Sequence, residues 1–95
     1  MDLGLKGKIA LISGGSKGLG KAIAEELGRE GSYISICARN KQDLDQTIRD
    51  LHRSGITAIS VQADVTSLDE IKNVVEYTTR QFGKIDVLVN NAGDA

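Results

Sequence analysis

The sequence is poor in several residue types, and each shortage excludes a class of protein. Its 95 residues include no proline, one cysteine and one histidine. A single cysteine can form no internal disulfide, so a reducing cytoplasm suits the chain. A lone histidine with no cysteine or carboxylate cluster at ligand spacing predicts no metal site. No proline-rich linker or low-complexity segment divides the chain, so we expect one continuous domain.

Excess charge and long apolar runs are also missing. Twelve basic and thirteen acidic residues leave a net charge of −1, which gives no general attraction to nucleic acid or to an anionic membrane. No run approaches the roughly 18–20 apolar residues of a membrane span. The first residues contain no basic segment leading into a long apolar one, so we expect no secretory signal. The sequence therefore predicts a cytoplasmic protein without nucleic-acid or membrane partners.

The chain does contain an alternation of short apolar runs and segments of helical period. We predict strands at Lys8–Ser13, Tyr33–Ala38, Thr57–Gln62 and Ile85–Asn90, and helices at about Gly18–Glu30, Gln42–Ser54 and Leu68–Phe82. Strands that alternate with helices indicate a parallel sheet with right-handed crossovers. The order βαβαβαβ predicts an α/β fold, the N-terminal portion of a Rossmann-type doubly wound parallel sheet, over residues 1–95.

The helices carry apolar stripes and end signals. We expect the stripes to face inward with Leu19, Ile23 and Leu27 in the first helix, Leu44, Ile48 and Leu51 in the second, and Leu68, Ile71, Val74, Val75 and Phe82 in the third. Gly31 fits the left-handed position that commonly ends a helix, and we expect the second and third helices to stop at Gly55 and Gly83. Ser67 and Glu70 have the spacing of a reciprocal capping box.

A glycine-rich loop, Ser13-Gly14-Gly15-Ser16-Lys17-Gly18-Leu19-Gly20, follows the first predicted strand. A strand that enters such a loop and then a helix points backbone amides and the positive end of the helix dipole at one spot, which suits a pyrophosphate. We expect Gly14 to permit the turn, Gly18 to let phosphates approach and Gly20 to let the helix pack closely on the strand. The loop lacks the G-K-[ST] ending of a P-loop, which argues against a kinase or ATPase. The alternative is a turn that binds no ligand.

A basic residue, Arg39, follows the second predicted strand. A protein that binds NAD usually places an acid here for the ribose hydroxyls. A guanidinium instead pairs bidentately with a 2′-phosphate, which a carboxylate would repel. Lys17 in the glycine loop could add a second positive charge to the same phosphate. Together the two cations predict NADP rather than NAD, and the alternative is that both are solvated surface charges.

Four motifs in order resemble those of the short-chain dehydrogenase/reductase family. Ser13-Gly14-x-x-x-Gly18-x-Gly20 is similar to the family's T-G-x-x-x-G-x-G loop, with serine for threonine. Ala63-Asp64-Val65-Thr66 resembles its adenine-contacting D-V segment, Asn90-Asn91-Ala92-Gly93 matches its N-N-A-G motif, and Asp86 stands where the family often has an acid. The resemblance covers essentially the whole chain, and it is closest to 3-oxoacyl-carrier-protein reductases and related carbonyl reductases.

The resemblance implies a role for each matching residue. Phosphates and ribose would meet the glycine loop at Gly14, Gly15, Ser16, Lys17, Gly18, Leu19 and Gly20. Arg39 would hold the 2′-phosphate, while Asp64 would accept from the adenine amino group and Val65 would pack against the ring. Asn91, Ala92 and Gly93 would line the path to the nicotinamide ribose, and Asn90 would tie strands together.

The family's chemistry rests on a serine and a Tyr-x-x-x-Lys pair, and neither tyrosine of this chain fits. Tyr33 is followed four residues later by Cys37, and Tyr77 by Gln81. The resemblance therefore implies an NADP-dependent oxidoreductase of alcohols and carbonyls, with residues 1–95 as an incomplete, cofactor-binding portion that has no catalytic residue. Its partners would be the dinucleotide and, in the parent enzyme, a small carbonyl or alcohol substrate.

Two alternatives remain open. One is a catalytically inactive nucleotide-binding fragment or module; the other is a different Rossmann-like enzyme, such as a methyltransferase or a sugar-nucleotide epimerase. We also expect residues 87–89 to form an uncovered apolar sheet edge, which invites association. The resemblance implies a homo-oligomer, because the family commonly forms tetramers.

Overall fold

The computed structural model describes residues 4–91 and confirms the four predicted strands and three predicted helices. In chain order the elements are β1 Ile9–Ser13, α1 Gly18–Arg29, β2 Tyr33–Ala38, α2 Lys41–Arg53, β3 Ala58–Gln62, α3 Leu68–Phe82 and β4 Val87–Asn90. Their bounds differ from the sequence-based ones by one or two residues at most.

The strands form one parallel sheet in the order β3-β2-β1-β4. The chain moves outward from β1 to β3 and then crosses back to place β4 on the other side of β1. Because parallel crossovers are right-handed, this reversal puts α1 and α2 on one face and α3 on the opposite face. The predicted Rossmann-type, doubly wound arrangement is therefore confirmed.

The core lies on both faces of β1, whose five residues are all buried. Under α1 and α2 the buried cluster consists of Ala10, Ile12, Ala24, Ile34, Ile36, Leu44, Leu51, Ile56 and Ala58. Under α3 it is smaller and consists of Leu11, Cys37, Ala63 and Val74. Burial raises the pKa of the Cys37 thiol to about 11, so this cysteine is a small buried hydrophobe rather than a reactive thiolate.

The predicted inward stripe of α3 is largely wrong. Val74 is buried as expected, but Leu68 is 66% exposed, and Ile71 and Val75 are also exposed. Among residues 4–91 α3 is the one helix on this face of the sheet, so no neighbour covers the side of the helix that turns away from β2. Leu19 is a second correction: it is 65% exposed in the first turn of α1, beyond the edge of the core.

The helix ends follow the sequence more closely. Gly31 has a φ of 95°, in the left-handed region as predicted. Gly55 and Gly83, which follow the second and third helices, are also left-handed, with φ values of 80° and 92°. The capping box is half correct: the amide of Glu70 donates to Ser67 Oγ at 3.4 Å. The Glu70 carboxylate, however, accepts from the amide of Asp64 at 3.0 Å, because the turn after β3 brings that amide to the start of α3.

A buried hydroxyl pair attaches α3 to the sheet. Ser35 Oγ of β2 and Thr78 Oγ1 of α3 lie 2.7 Å apart, and both residues are fully buried. A buried hydroxyl without a partner is destabilising, so each of these two depends on the other.

We expect Thr78→Val to lower the free energy of unfolding by about 1–3 kcal/mol, because it leaves the Ser35 hydroxyl unpaired. Adding Ser35→Ala to Thr78→Val should cost less than Ser35→Ala alone, since no orphaned hydroxyl remains. Urea denaturation of the two single variants and the double variant measures this coupling. Strictly additive losses would show that the pair contributes nothing.

At the amino ends of the strands, Asp86 links the beginnings of β1 and β4. The amide of Ile9 donates to Asp86 Oδ2 at 2.8 Å, and the amide of Asp86 donates to the carbonyl of Ile9 at the same distance. The hydrogen bond from Ile9 lowers the pKa of Asp86, and Lys84, 3.3 Å away, acts in the same direction.

A carboxylate whose pKa is lowered by folding stabilises the protein above its unfolded pKa of about 4, and this contribution is lost as the pH falls through the folded pKa. We therefore expect the urea midpoint of the wild type to fall more steeply between about pH 5 and pH 2 than that of Asp86→Asn. Parallel curves for the two proteins would contradict a proton-linked role for Asp86.

The predicted apolar edge is partly exposed. In the described sheet β4 pairs with β1 alone, and its outward side chain, Leu88, is 68% exposed, whereas Val87 and Val89 pack against the larger core cluster. This places an apolar side chain on the edge of the sheet.

Candidate functional site

A cleft of about 290 Å³ lies at the carboxyl edge of the sheet, where β1, β2 and β3 end. Its lining residues come from the three segments that follow these strands: Gly14, Ser16 and Lys17; Ala38, Arg39, Asn40 and Asp43; and Ala63, Asp64, Val65 and Thr66. Ligands of open α/β sheets bind outside the carboxyl ends of the strands, so the cleft is in the position expected for a binding site.

The glycine loop is held by contacts that only glycine permits. Gly14 has a φ of 71°, and a Cβ on Gly14 would stand 2.6 Å from the carbonyl oxygen of Asn91. A Cβ on Gly20 would approach the carbonyl oxygen of Gly14 at 2.2 Å. These contacts bring the first turn of α1 against the loop, as predicted for Gly20, so the amino end of the helix opens toward the cleft.

Neighbouring elements fix the loop from both sides. The amide of Gly14 donates to the carbonyl of Cys37 at 2.8 Å, which joins the loop to β2. The buried Thr47 of α2 donates its hydroxyl to the carbonyl of Ser16 at 2.9 Å. Ser13, whose hydroxyl donates to Asn90 Oδ1 at 3.1 Å, links the base of the loop to β4 as the sequence predicted for Asn90. The loop is therefore held in place by the protein itself.

The two cations of the cleft have different surroundings. Lys17 Nζ lies 3.1 Å from Asp43 Oδ2 in an ion pair. Arg39 is exposed, and its carbonyl accepts a hydrogen bond from Gln62 Nε2 at 2.9 Å, which fixes the backbone from which the side chain extends. Arg39 thus lines the cleft as an exposed residue, whereas the ammonium of Lys17 already has an anionic neighbour.

The side chain of Asp64, a lining residue of the cleft, is held by Thr66. Asp64 Oδ1 accepts from Thr66 Oγ1 at 2.7 Å and from the Thr66 amide at 2.9 Å. These two hydrogen bonds lower the pKa of Asp64, and the charge of Arg39 adds a smaller effect in the same direction. Asp64 is therefore an anion at neutral pH and can act as a hydrogen-bond acceptor.

The structure brings together six of the predicted site residues as lining of the cleft, namely Gly14, Ser16, Lys17, Arg39, Asp64 and Val65. Gly15 and Gly20 lie beneath the lining, against Ile36 and the Gly14 carbonyl. Gly18 and the exposed Leu19 begin α1, and the Asn91 amide donates to Ser13 beyond the end of β4. Ala92 and Gly93 lie outside the described residues.

Five lining residues were missed by the sequence-based prediction: Ala38, Asn40, Asp43, Ala63 and Thr66. A local signal existed for Asn40, whose Oδ1 caps α2 by accepting from the amide of Asp43 at 3.0 Å. An asparagine three residues before an acid at the start of an apolar helical period is a typical N-cap. The approach of Asp43 to Lys17 has no local signal, because it joins residues on different elements.

In the part of the chain that the structure describes, no group of three or more His, Cys, Asp or Glu side chains is placed to hold a metal ion. No helix within residues 4–91 has the length and apolar character needed to cross a bilayer.

The sequence profile of the family described as short chain dehydrogenase matches residues 8–95 of this chain. The chain belongs to the short-chain dehydrogenase family. The glycine loop, the cleft at the carboxyl ends of β1 to β3 and the segment that follows β4 all lie within the matched residues. The predicted membership of this family is confirmed.

Named members of the family include reductases. The chain is 42% identical over 88 residues to the peroxisomal 2,4-dienoyl-CoA reductase of Arabidopsis thaliana, covering 93% of this chain and 30% of that protein. It is 37% identical to a 3-oxoacyl-[acyl-carrier-protein] reductase of Staphylococcus aureus, covering 90% of this chain and 35% of that protein. The predicted likeness to 3-oxoacyl-carrier-protein reductases is therefore confirmed.

Among solved structures, L-sorbose reductase of Gluconobacter frateurii, complexed with NADPH and L-sorbose, superposes with a TM-score of 0.94 at 41% identity. The superposition covers 98% of this chain and 36% of the other. The present chain thus spans about a third of the length of the short-chain dehydrogenases that it matches.

The contribution of the hydrogen bond from Thr47 to the Ser16 carbonyl can be measured by removing the Thr47 hydroxyl. We expect Thr47→Val to lower the free energy of unfolding by about 1–2 kcal/mol, because it leaves the Ser16 carbonyl without its donor. Thr79→Val makes the same chemical change at an exposed site in α3 and should stay within about 0.5 kcal/mol of the wild type. If urea denaturation shows the same loss of unfolding free energy for both variants, the hydrogen bond to the loop does not stabilise the protein.

Proposed function

We propose that this chain binds NADP(H) and forms the cofactor-binding portion of an oxidoreductase that interconverts an alcohol and a carbonyl by hydride transfer. The observation that carries the proposal is the cleft in which the glycine loop, two cations and Asp64 meet. Membership of the short-chain dehydrogenase family and the NADPH bound to the superposed L-sorbose reductase support it.

The lining of the cleft suits each part of the dinucleotide. Gly14 and Ser16, beside the amino end of α1, suit the pyrophosphate, since backbone amides and the helix dipole favour an anion there. Arg39 and Lys17 suit the 2′-phosphate. Asp64 offers a carboxylate to the adenine amino group, and Val65 offers an apolar contact to the ring.

The remaining predicted residues extend this binding site toward the other half of the cofactor. Gly15, Gly18 and Gly20 shape the loop, and Leu19 extends from the first turn of α1 beside it. For Asn91, Ala92 and Gly93 we propose a role at the nicotinamide ribose, as the family resemblance implies. When bound, the cofactor supplies the hydride, while the residues of this chain bind and orient it.

The described tyrosines do not supply the proton transfer that a carbonyl reduction requires. The ring of Tyr33 packs against Phe82, with centroids 5.5 Å apart, and Tyr77 lies on α3. We therefore propose that the serine and the Tyr-x-x-x-Lys pair of the active enzyme come from sequence outside residues 1–95. The alternative, a nucleotide-binding module without catalysis, holds if the encoding reading frame contains no such residues.

Two further predictions from the sequence stay predictions: a cytoplasmic location and assembly into a homo-oligomer. The exposed Leu88 on edge strand β4 supports the second, because an apolar sheet edge favours association.

The assignment of Arg39 is tested by reversing its charge. We expect Arg39→Asp to weaken NADPH binding about ten- to hundredfold, since a charge-assisted hydrogen bond is lost and a repulsive carboxylate is gained. NADH, which has no 2′-phosphate, should bind at least as well as to the wild type. Isothermal titration calorimetry of both dinucleotides measures the change.

Arg49→Asp is the matched control, because Arg49 is an exposed arginine of α2 outside the cleft. It should leave the ratio of NADPH to NADH affinity unchanged. An unaltered ratio in Arg39→Asp as well would show that the 2′-phosphate site is wrongly assigned. No binding of either dinucleotide to the wild type would contradict the proposed function itself.

A further inference from the structure

We propose that Asp43 is a specificity-determining residue, whose carboxylate engages Lys17 and so opposes binding of the 2′-phosphate. The inference rests on the proposed function, because it concerns the choice between NADP(H) and NAD(H) in the same cleft. Asp43 was assigned no role from the sequence, yet it lines the cleft with Lys17, Arg39 and Asp64.

The geometry makes Asp43 a fixed neighbour of Lys17. Its Oδ2 atom is shielded from solvent and accepts no hydrogen bond within the described residues, but it lies 3.1 Å from Lys17 Nζ. The amide of Asp43 is tied to the Asn40 side chain, and the next residue, Leu44, is buried in the core. The backbone of Asp43 is therefore fixed beside the glycine loop.

The charges of the cleft are nearly balanced. Lys17 and Arg39 are countered by Asp43 and Asp64, whereas the sequence alone suggested two cations without a local acid. A 2′-phosphate carries a charge of about −1.5 to −2 near neutral pH. If it contacts Lys17, it also comes close to Asp43, and the repulsion between these anions opposes binding.

Binding of the 2′-phosphate by Lys17 also has an energetic cost. Its ammonium must exchange the carboxylate of Asp43 for the phosphate, so the energy of the existing ion pair is subtracted from the gain. Arg39 is an exposed residue of the cleft lining that forms no ion pair within residues 4–91, although its charge acts on Asp64. We therefore assign the attraction for the 2′-phosphate mainly to Arg39. Asp43 reduces the contribution that Lys17 makes to this attraction.

The test removes the charge of Asp43 at nearly constant shape. We expect Asp43→Asn to tighten binding of adenosine 2′,5′-bisphosphate and of NADPH about three- to tenfold, the range for losing an exposed ion pair and a nearby like charge. Binding of 5′-AMP and NADH should change by less than about twofold. These probes are measured by isothermal titration calorimetry on the full chain, with circular dichroism to confirm folding.

Asp45→Asn is the matched control. It lies two residues further along α2, pairs with Lys41 on the exposed side of the helix, and makes the same change in net charge. It should leave all four affinities unchanged. An equal gain in Asp45→Asn would show a general effect of net charge and would overturn the inference.

The route through Lys17 is tested with Lys17→Met. In that background we expect the gain from Asp43→Asn to fall to less than half of its value, since the ammonium that it releases is gone. A gain that persists in full, or an Asp43→Asn variant that binds the 2′-phosphate no better than the wild type, would overturn the inference. If the wild type still prefers 2′-phosphorylated nucleotides, the proposed function survives this failure; if it binds none of the four probes, the proposed function fails.

Discussion

The contact between the backbones of Gly14 and Gly20 is the constraint on which the carboxyl edge of the sheet depends. A Cβ on Gly20 would stand 2.2 Å from the Gly14 carbonyl oxygen, a distance that no side chain can accept. The first turn of α1 can therefore lie directly against the end of β1. Because of this contact, the amino end of α1 faces the cleft. The Thr47 hydroxyl of α2 also donates a hydrogen bond to the Ser16 carbonyl of the loop.

A second consequence concerns charge. The net charge of the chain is −1, so any attraction for an anion has to come from a local arrangement of charges. That arrangement combines a helix end and two cations with two acids. Arg39 and Lys17 differ because Gln62 holds only the backbone of Arg39, whereas Asp43 engages the charged group of Lys17. The charge that this edge presents therefore depends on ion pairs as much as on the number of basic residues.

The elements and their ends could be predicted because their causes are local. Strand and helix periods follow from residues near in sequence, and the glycines at 31, 55 and 83 supply the left-handed φ that ends a helix. The stripe of α3 could not be predicted correctly, since its exposure depends on which neighbours cover the helix. The capping box shows where local prediction stops. The predicted hydrogen bond from the Glu70 amide to Ser67 is present, but the Glu70 carboxylate accepts from the amide of Asp64, which the fold brings close to it.

By itself, the sequence determined the βαβαβαβ order, the parallel Rossmann-type sheet, the glycine loop after β1 and the presence of Lys17, Arg39 and Asp64 at strand ends. Only the tertiary structure decided which of these groups meet and with what partners. It buried Thr47 against the loop, paired Ser35 with Thr78, and placed Asp43 beside Lys17. The physical reason is that hydrogen bonds and ion pairs between different elements depend on distances set by packing, which no spacing along the chain records.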